Sequence, residues 1–225
     1  MNYIDIKNLS IEFVTEYHNS LRKSLLFKSE IKTLKALKNI NLMISNGEKV
    51  AIVGHNGSGK TTLLKTISNI YSPTKGEITV VGKSFSLIDV TMGLDEEITG
   101  YENIYLMGAQ NLISKKFIDL NLKNICEFSE LGESLNRDVR TYSAGMKTRL
   151  AASVFVNLKP DILICDEFLS AGDEKFQNKF ENQMKIILKD IGIFILVTHN
   201  QKTIKQYCTR VITLSHGEIL SDERI

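Results

Sequence analysis

Apolar and polar positions along this chain follow two periods, and the switches between them divide it. Near the start, Ile4, Ile6, Ile11 and Phe13 stand among polar neighbours and predict an early pair of strands. Ile40, Leu42 and Ile44 alternate with polar residues, as in a half-buried strand. Between these regions, His18 to Lys38 breaks the pattern and reads as an inserted segment. Lys49-Val50-Ala51-Ile52-Val53 is a strand-like apolar run, and Leu63-Leu64-Lys65-Thr66-Ile67 reads as helix. After the turn Ser72-Pro73-Thr74-Lys75-Gly76, strands return at Glu77-Ile78-Thr79-Val80-Val81 and at Phe85-Ser86-Leu87-Ile88. From about Gly100 to Leu158 the strand signals stop, and Phe117, Leu120, Ile125, Phe128 and Leu131 fall at spacings that share helical faces. Asp161-Ile162-Leu163-Ile164-Cys165-Asp166-Glu167 is then a buried strand ending in two acids. Phe176, Phe180, Met184 and Ile187, with Leu188, repeat at helical spacing and predict a core-facing stripe. Ile193-Phe194-Ile195-Leu196-Val197 is wholly apolar, which suits a parallel strand covered on both faces. Val211-Ile212-Thr213-Leu214, His216-Gly217 and Glu218-Ile219-Leu220 read as a terminal hairpin.

These elements predict an α/β fold in one domain of 225 residues. Its core is expected over 1–99 and 159–225, with a helical subdomain at 100–158 and a basic insertion at 18–38. A 43% hydrophobic and 24% charged composition is that of a globular chain with ample core. A net charge of +2 carries no signal for nucleic acid as a partner. No apolar run approaches the roughly 20 residues that cross a bilayer. Met1-Asn2-Tyr3-Ile4-Asp5 lacks the basic start and apolar centre of a secretory leader. The expectation is a cytosolic chain whose membrane spans, if its work needs them, come from a partner. Cys126, Cys165 and Cys208 have no metal-ligand spacing, and Cys165 within its apolar strand is expected as a buried thiol.

The strongest chemical signal is Gly54-His55-Asn56-Gly57-Ser58-Gly59-Lys60-Thr61-Thr62, set between the strand at 49–53 and the helix that follows. It fits G-x-x-x-x-G-K-[ST], in which glycines let successive N–H groups converge on one phosphate. Lys60 can reach the β- and γ-phosphates, and the Thr61 hydroxyl can face Mg²⁺. The helix opening at Lys60 turns its positive end to the same anion. Asp166, at the end of its apolar strand, stands where a carboxylate binds Mg²⁺ directly or through water. Glu167 beside it can polarise water for attack on the γ-phosphate. His199 follows the next buried strand, at the same sheet edge, where it can hydrogen-bond the γ-phosphate or the water. Tyr142-Ser143-Ala144-Gly145-Met146 precedes an evident helix, with Ser143 as its N-cap and small residues that leave backbone N–H groups open to an anion.

Taken in order, these motifs resemble the nucleotide-binding subunit of an ATP-binding cassette (ABC) transporter over essentially the whole length. Walker A is GHNGSGKTT, the signature is YSAGM and Walker B is ILICDE; His199 resembles the switch histidine, and Ser170-Ala171-Gly172-Asp173 the D-loop. The resemblance implies a P-loop NTPase core with an antiparallel β subdomain, and ATP with Mg²⁺ at the site. It implies a homodimer closed around two ATP molecules, with Ser143 and Gly145 acting across the interface and Asp173 among the nucleotide-binding residues. Phe13 falls where that family stacks an aromatic on adenine, with Tyr17 as the fallback. Ala144 and Met146 depart from the usual L-S-G-G-Q signature, and Asp89 aligns with the Gln that links the Mg²⁺ site to the membrane subunit. These departures, with Ile98-Thr99-Gly100-Tyr101-Glu102-Asn103-Ile104-Tyr105-Leu106 and Glu167-Phe168-Leu169-Ser170-Ala171-Gly172-Asp173, resemble the subgroup that exports O-antigens, capsules and teichoic acids. That implies two copies of a polytopic permease subunit, a lipid-linked polysaccharide as cargo, and a peripheral place on the cytoplasmic face of the bacterial inner membrane. Some members carry a carbohydrate-binding domain after the hairpin; this sequence stops there, so recognition of the glycan's terminus is expected to fall to another protein or to the membrane subunit. An ABC ATPase for a drug, lipid or nutrient is the alternative, and a soluble ABC ATPase outside transport a more distant one. Arg22, Lys23, Lys28, Lys32, Lys35 and Lys38, interleaved with Leu21, Leu25, Leu26 and Phe27, read either as an amphipathic helix at an anionic leaflet or as a solvated basic loop.

Overall fold

The computed structural model describes residues 1–16, 31–87, 93–111, 113–158, 160–166 and 173–225. Two sheets organise them. Strand β1 (Tyr3–Glu16) pairs antiparallel with β2 (Ile31–Ser45) on one side and β4 (Lys75–Val81) on the other. The second sheet has six strands in the order β5-β6-β7-β3-β8-β9. Here β3 is Lys49–Val53, β5 Ser84–Leu87, β6 Ile162–Asp166, β7 Ile193–Val197, β8 Arg210–Ser215 and β9 Glu218–Arg224. Its neighbours run parallel except for the closing β8–β9 hairpin.

Six helices accompany the sheets among the described residues: α1 (Lys60–Ile67), α2 (Gly100–Gln110), α3 (Lys115–Ser129), α4 (Ala144–Leu158), α5 (Glu174–Asp190) and α6 (Gln201–Tyr207). None is long and apolar enough to cross a membrane.

The all-apolar strands divide their side chains between two cores, because alternate residues point to opposite faces. Val50 and Ile52 of β3, Ile162 and Ile164 of β6, and Ile193 and Ile195 of β7 pack with α1 and the three-stranded sheet. Ala51, Leu163, Cys165, Phe194 and Leu196 pack on the other side, against the residues of α2 to α5. The stripe Phe176, Phe180, Met184 and Leu188 is buried in that second core, as the helical spacing predicts. Cys165 is buried too, and burial pushes its thiol well above the usual range.

Three expectations change. The early strand pair is one strand, β1, and residues 31–38 belong to β2 rather than to an insertion. Register shifts between Ile6 and Leu9, Leu9 and Ile11, and Ile11 and Glu12 put the simple alternation out of phase. Asn8 and Asn39 sit at those irregularities with φ of 49°, a left-handed conformation that Asn tolerates. On α3, Leu120 is 75% exposed while Ile118 and Ile125 are buried. Two residues turn a helix by about 200°, so Leu120 points away from Ile118. The rest of the basic segment, residues 18–30, lies outside the described residues, and so does Tyr17.

Candidate active site

Three adjacent strands, β6, β7 and β3, end at one edge of the six-stranded sheet, where parallel α/β sheets place their ligands. The loop leaving β3 carries Gly54 to Gly59 into α1. Gly59 caps that helix at φ +105°, and a Cβ there would lie 2.8 Å from the Ala36 carbonyl and 2.9 Å from Leu37 Cδ2. A Cβ at Gly54 would strike the Leu214 carbonyl. At Gly54 and Gly59 the loop is therefore pressed against β8 and β2 with room only for hydrogen. The β8–β9 turn holds it from outside: Gly217 N–H donates to the Ser58 carbonyl at 3.0 Å, and the rings of His55 and His216 lie 4.8 Å apart.

Inside the loop, the Lys60 ammonium donates to the carbonyls of Gly54 at 2.7 Å and His55 at 3.0 Å. The side chain is thus curled back beneath the loop, with 8% of the residue exposed. Thr61 Oγ1 donates to Asp166 Oδ2 at 3.1 Å, joining the start of α1 to the end of β6. The Ser58 hydroxyl is fully buried and finds no partner among the described residues. A buried hydroxyl left unpaired costs about 1–3 kcal/mol.

A cavity of about 420 Å³ opens above these groups, a size ordinary for small-molecule sites. Asn56, Gly57, Gly59, Lys60, Thr61 and Thr62 form its floor. Asp166, Val197 and His199 form one wall, and Phe13 with Leu34, Lys35 and Ala36 the other. The Phe13 ring meets Tyr71 edge-on at 5.4 Å, leaving an aromatic surface at the cavity's apolar end. His199 is exposed on the turn after β7. That turn is fixed by Asn200, whose side chain accepts from the N–H groups of Lys202 and Thr203 at the start of α6. A flat apolar end, a floor of backbone N–H groups with a cation, and a hydroxyl–carboxylate pair fit a nucleoside triphosphate with a hard divalent cation. Among the described residues no group of three or more His, Cys, Asp or Glu forms a metal site by itself. Mg²⁺ needs no such cage, because it keeps waters and phosphate oxygens among its ligands.

The structure brings Phe13, Asn56, Gly57, Gly59, Lys60, Thr61, Thr62, Asp166 and His199 together around this cavity. Gly54, Ser58, Ser143, Gly145 and Asp173 do not line it. Ser143 Oγ accepts the Met146 N–H at 3.2 Å and caps α4, so Gly145 lies in that helix's first turn. Asp173 caps α5 by accepting the Phe176 N–H at 2.9 Å and pairs with Arg149. The Phe176 N–H above all, and then Arg149, holds its carboxyl below the usual range. Glu167, Asp89 and residues 170–172 of the D-loop-like run lie outside the described residues. Leu34 to Ala36 are site residues that sequence reasoning missed, having assigned them to the insertion. Their signal was available: Leu37, Ile40, Leu42 and Ile44 form one buried face of β2 once Asn39 is allowed an irregularity.

Residues 37–170 match the family model described as ABC transporter. The O-antigen export system ATP-binding protein RfbB of Klebsiella pneumoniae is 36% identical over 233 residues, covering 99% of this chain and 95% of that protein. RfbE of Yersinia enterocolitica, of the same description, is 38% identical over 87% of this chain and 82% of its own length. The ABC transporter protein AbcA of Aeromonas salmonicida is 38% identical over 86% of this chain, which spans 63% of that protein. The teichoic acids export ATP-binding protein TagH of Shouchella clausii is 36% identical, and this chain spans 58% of it. Among solved structures, the dimeric post-hydrolysis state of the ATP-binding cassette MJ0796 bound to ADP and Pi superposes with a TM-score of 0.75 over 98% of both chains, at 24% identity. That likeness is one of fold.

Proposed function

The chain belongs to the ABC transporter family, and from that premise we propose that it is the ATP-hydrolysing subunit of an exporter of lipid-linked cell-surface polysaccharide. The observation that carries the ATPase part is the convergence of the 54–62 loop, Asp166, His199 and Phe13 on one cavity, with Thr61 bonded to Asp166. The cargo rests on relatives named for O-antigen and teichoic acid export that are 36–38% identical.

In this reading Phe13 stacks on adenine, and the N–H groups of residues 54–62 take the phosphates. Lys60 leaves the Gly54 and His55 carbonyls for the β- and γ-phosphates. Thr61 and Asp166, with Asp89, serve Mg²⁺, whose chemistry is to neutralise charge building on the phosphate oxygens. Glu167 accepts the proton of the attacking water, and His199 hydrogen-bonds the γ-phosphate. Two copies close on two ATP molecules, each offering Ser143, Gly145 and Asp173 to the other's nucleotide. Closure drives two copies of a polytopic membrane subunit, and hydrolysis reopens the dimer. The chain then works at the cytoplasmic face of the bacterial inner membrane.

Two experiments test the two parts. Glu167→Gln should abolish most turnover, by about 10²-fold or more, and leave an ATP-bound dimer on size exclusion; brisk hydrolysis by that variant removes Glu167 from its role. Capture of the tagged chain from gently solubilised native membranes, with mass spectrometry of what comes with it, tests the cargo. A polytopic membrane protein with lipid-linked glycan is expected. A soluble or nucleic-acid partner overturns the transport part and leaves the ATPase.

A further inference from the structure

A ladder of charge ties the helical subdomain to the catalytic core. Arg149 lies on α4, six residues beyond Ser143, and its side chain is 19% exposed. One arm of its guanidinium pairs with Asp173, the cap of α5, and the other reaches Glu130 Oε2 at 3.7 Å. Its carbon lies 5.0 Å from the centre of the Phe176 ring, so the group is stacked as well as paired. Glu130 closes α3 in the left-handed region at φ 54°. It also takes Lys179 of α5 at 2.9 Å, and the same ammonium donates to the Phe128 carbonyl at 3.0 Å. Lys179 first, and then the other cations around it, holds the Glu130 carboxyl below its usual range.

We infer that Arg149 is a positioning residue that fixes the N-terminal end of α4 against the Asp173 end of α5. The inference rests on the ATPase reading given above. The remainder of α4 turns apolar groups to its neighbours: Leu150, Ala151, Ala152, Val154 and Phe155 are all buried. Apolar packing is non-directional and permits small tilts and slides. A stacked guanidinium held at two carboxylates does not, because its planar fork fixes direction as well as distance. Both ends it joins face the partner's nucleotide in the proposed dimer, and the Asp173 end also adjoins the subunit's own site. Ser143 and Gly145 face the partner's ATP, and Asp173 directly follows the segment that carries Glu167. Arg149 thereby sets the spacing between the two ATP-facing edges of one subunit. It touches no nucleotide, so binding to the isolated site does not depend on it.

The test compares the full-length wild type with Arg149→Met, Arg149→Lys and Lys179→Met. Readouts are steady-state ATP hydrolysis and titration with a fluorescent ATP analogue. Arg149→Met is expected to lose kcat by about tenfold with the analogue's Kd within about twofold of wild type, the signature of a role outside ground-state binding. Arg149→Lys keeps the charge without the fork and should recover part of the loss. Lys179→Met leaves the Arg149–Asp173 pair in place and should stay within about threefold of wild type. Unchanged kcat in Arg149→Met overturns the inference, as does a loss of Kd and thermal midpoint together, which marks a purely structural role. An equal fall in Lys179→Met also overturns it, by moving the role to Glu130. A wild-type chain that neither binds nor hydrolyses ATP sinks the underlying reading, and the inference falls with it.

Discussion

Single residues in the 54–62 loop are specified by what surrounds them as much as by the ligand they await. Gly59 shows this most sharply, because it combines φ +105° with the Ala36 carbonyl 2.8 Å from where its Cβ would stand. An alanine there is strained in its backbone and collides with another backbone, which cannot yield as a flexible side chain does. Gly59→Ala should lower stability by about 1–3 kcal/mol and weaken nucleotide binding at the same time. Thermal unfolding and an ATP-analogue titration measure the two effects. Retained affinity with a lower thermal midpoint would show that the loop can relax around the methyl group. The spacing of the glycines is legible in the sequence; the reason Gly59 in particular has no room is not, since Ala36 lies 23 positions earlier in the chain.

Elements show the same division. The run Ile98 to Leu106 stands out in the sequence through its family resemblance, and the structure supplies a local physical account of it. Thr99 and Glu102 form a reciprocal cap at the start of α2: the Thr99 side chain accepts the Glu102 N–H, and the Glu102 carboxylate accepts the Thr99 N–H. The Thr99 bonds hold the Glu102 carboxyl below its usual range. Asn103 is fully buried and knits the approach to the helix. Its amide donates to the carbonyls of Asp95 and Thr99 at 2.8 and 3.0 Å, and its oxygen accepts the Asp95 N–H at 2.8 Å. Asn103→Ala leaves the Asp95 N–H and carbonyl without this side-chain partner, while the Thr99 carbonyl keeps the backbone N–H of residue 103 at 2.9 Å. We expect a loss of about 2 kcal/mol, or about 4–8 °C in Tm, with ATP affinity retained. Calorimetry and the nucleotide titration check both halves, and an unchanged Tm would show that water replaces the amide. The capping box was available to sequence reasoning as T-x-x-E; the role of Asn103 was not, because its partners are backbone groups of a loop with no periodicity.

At the scale of the molecule, Arg210 clamps the two sheets together. Its Nε and Nη2 donate to both oxygens of Asp222 on β9, at 2.7 and 2.6 Å. Its Nη1 donates to Glu48 at 3.0 Å, just before β3, and to the Met43 carbonyl of β2 at 2.9 Å. The bond from Arg210 keeps the Asp222 carboxyl below its ordinary range. A carboxyl depressed on folding adds stability above its unfolded pKa of about 3.9 and loses it as pH falls through the lower folded value. Asp222 is partly exposed, so screening limits the effect. Asp222→Asn should cost about 1 kcal/mol at pH 7, and its deficit should shrink towards zero below about pH 4. Urea unfolding at pH 7, 5 and 3.5 would show it; a deficit independent of pH would point to lost packing instead. What the sequence by itself determined is what is contiguous: strand, glycine loop and helix at 49–67, the acid closing β6, the all-apolar strands, the stripe on α5 and the terminal hairpin. Each depends on the order and period of neighbouring residues, so each survives being read one window at a time. Only the tertiary structure decided that β7 stands between β6 and β3, which brings Asp166 to Thr61 and His199 to the same cavity. It alone threaded residues 31–38 into β2, gave the cavity its Leu34–Ala36 wall and joined Arg149 to both Glu130 and Asp173. Those are contacts between distant segments, set by sheet order, by bulges that shift register and by helix packing, and no local period encodes them.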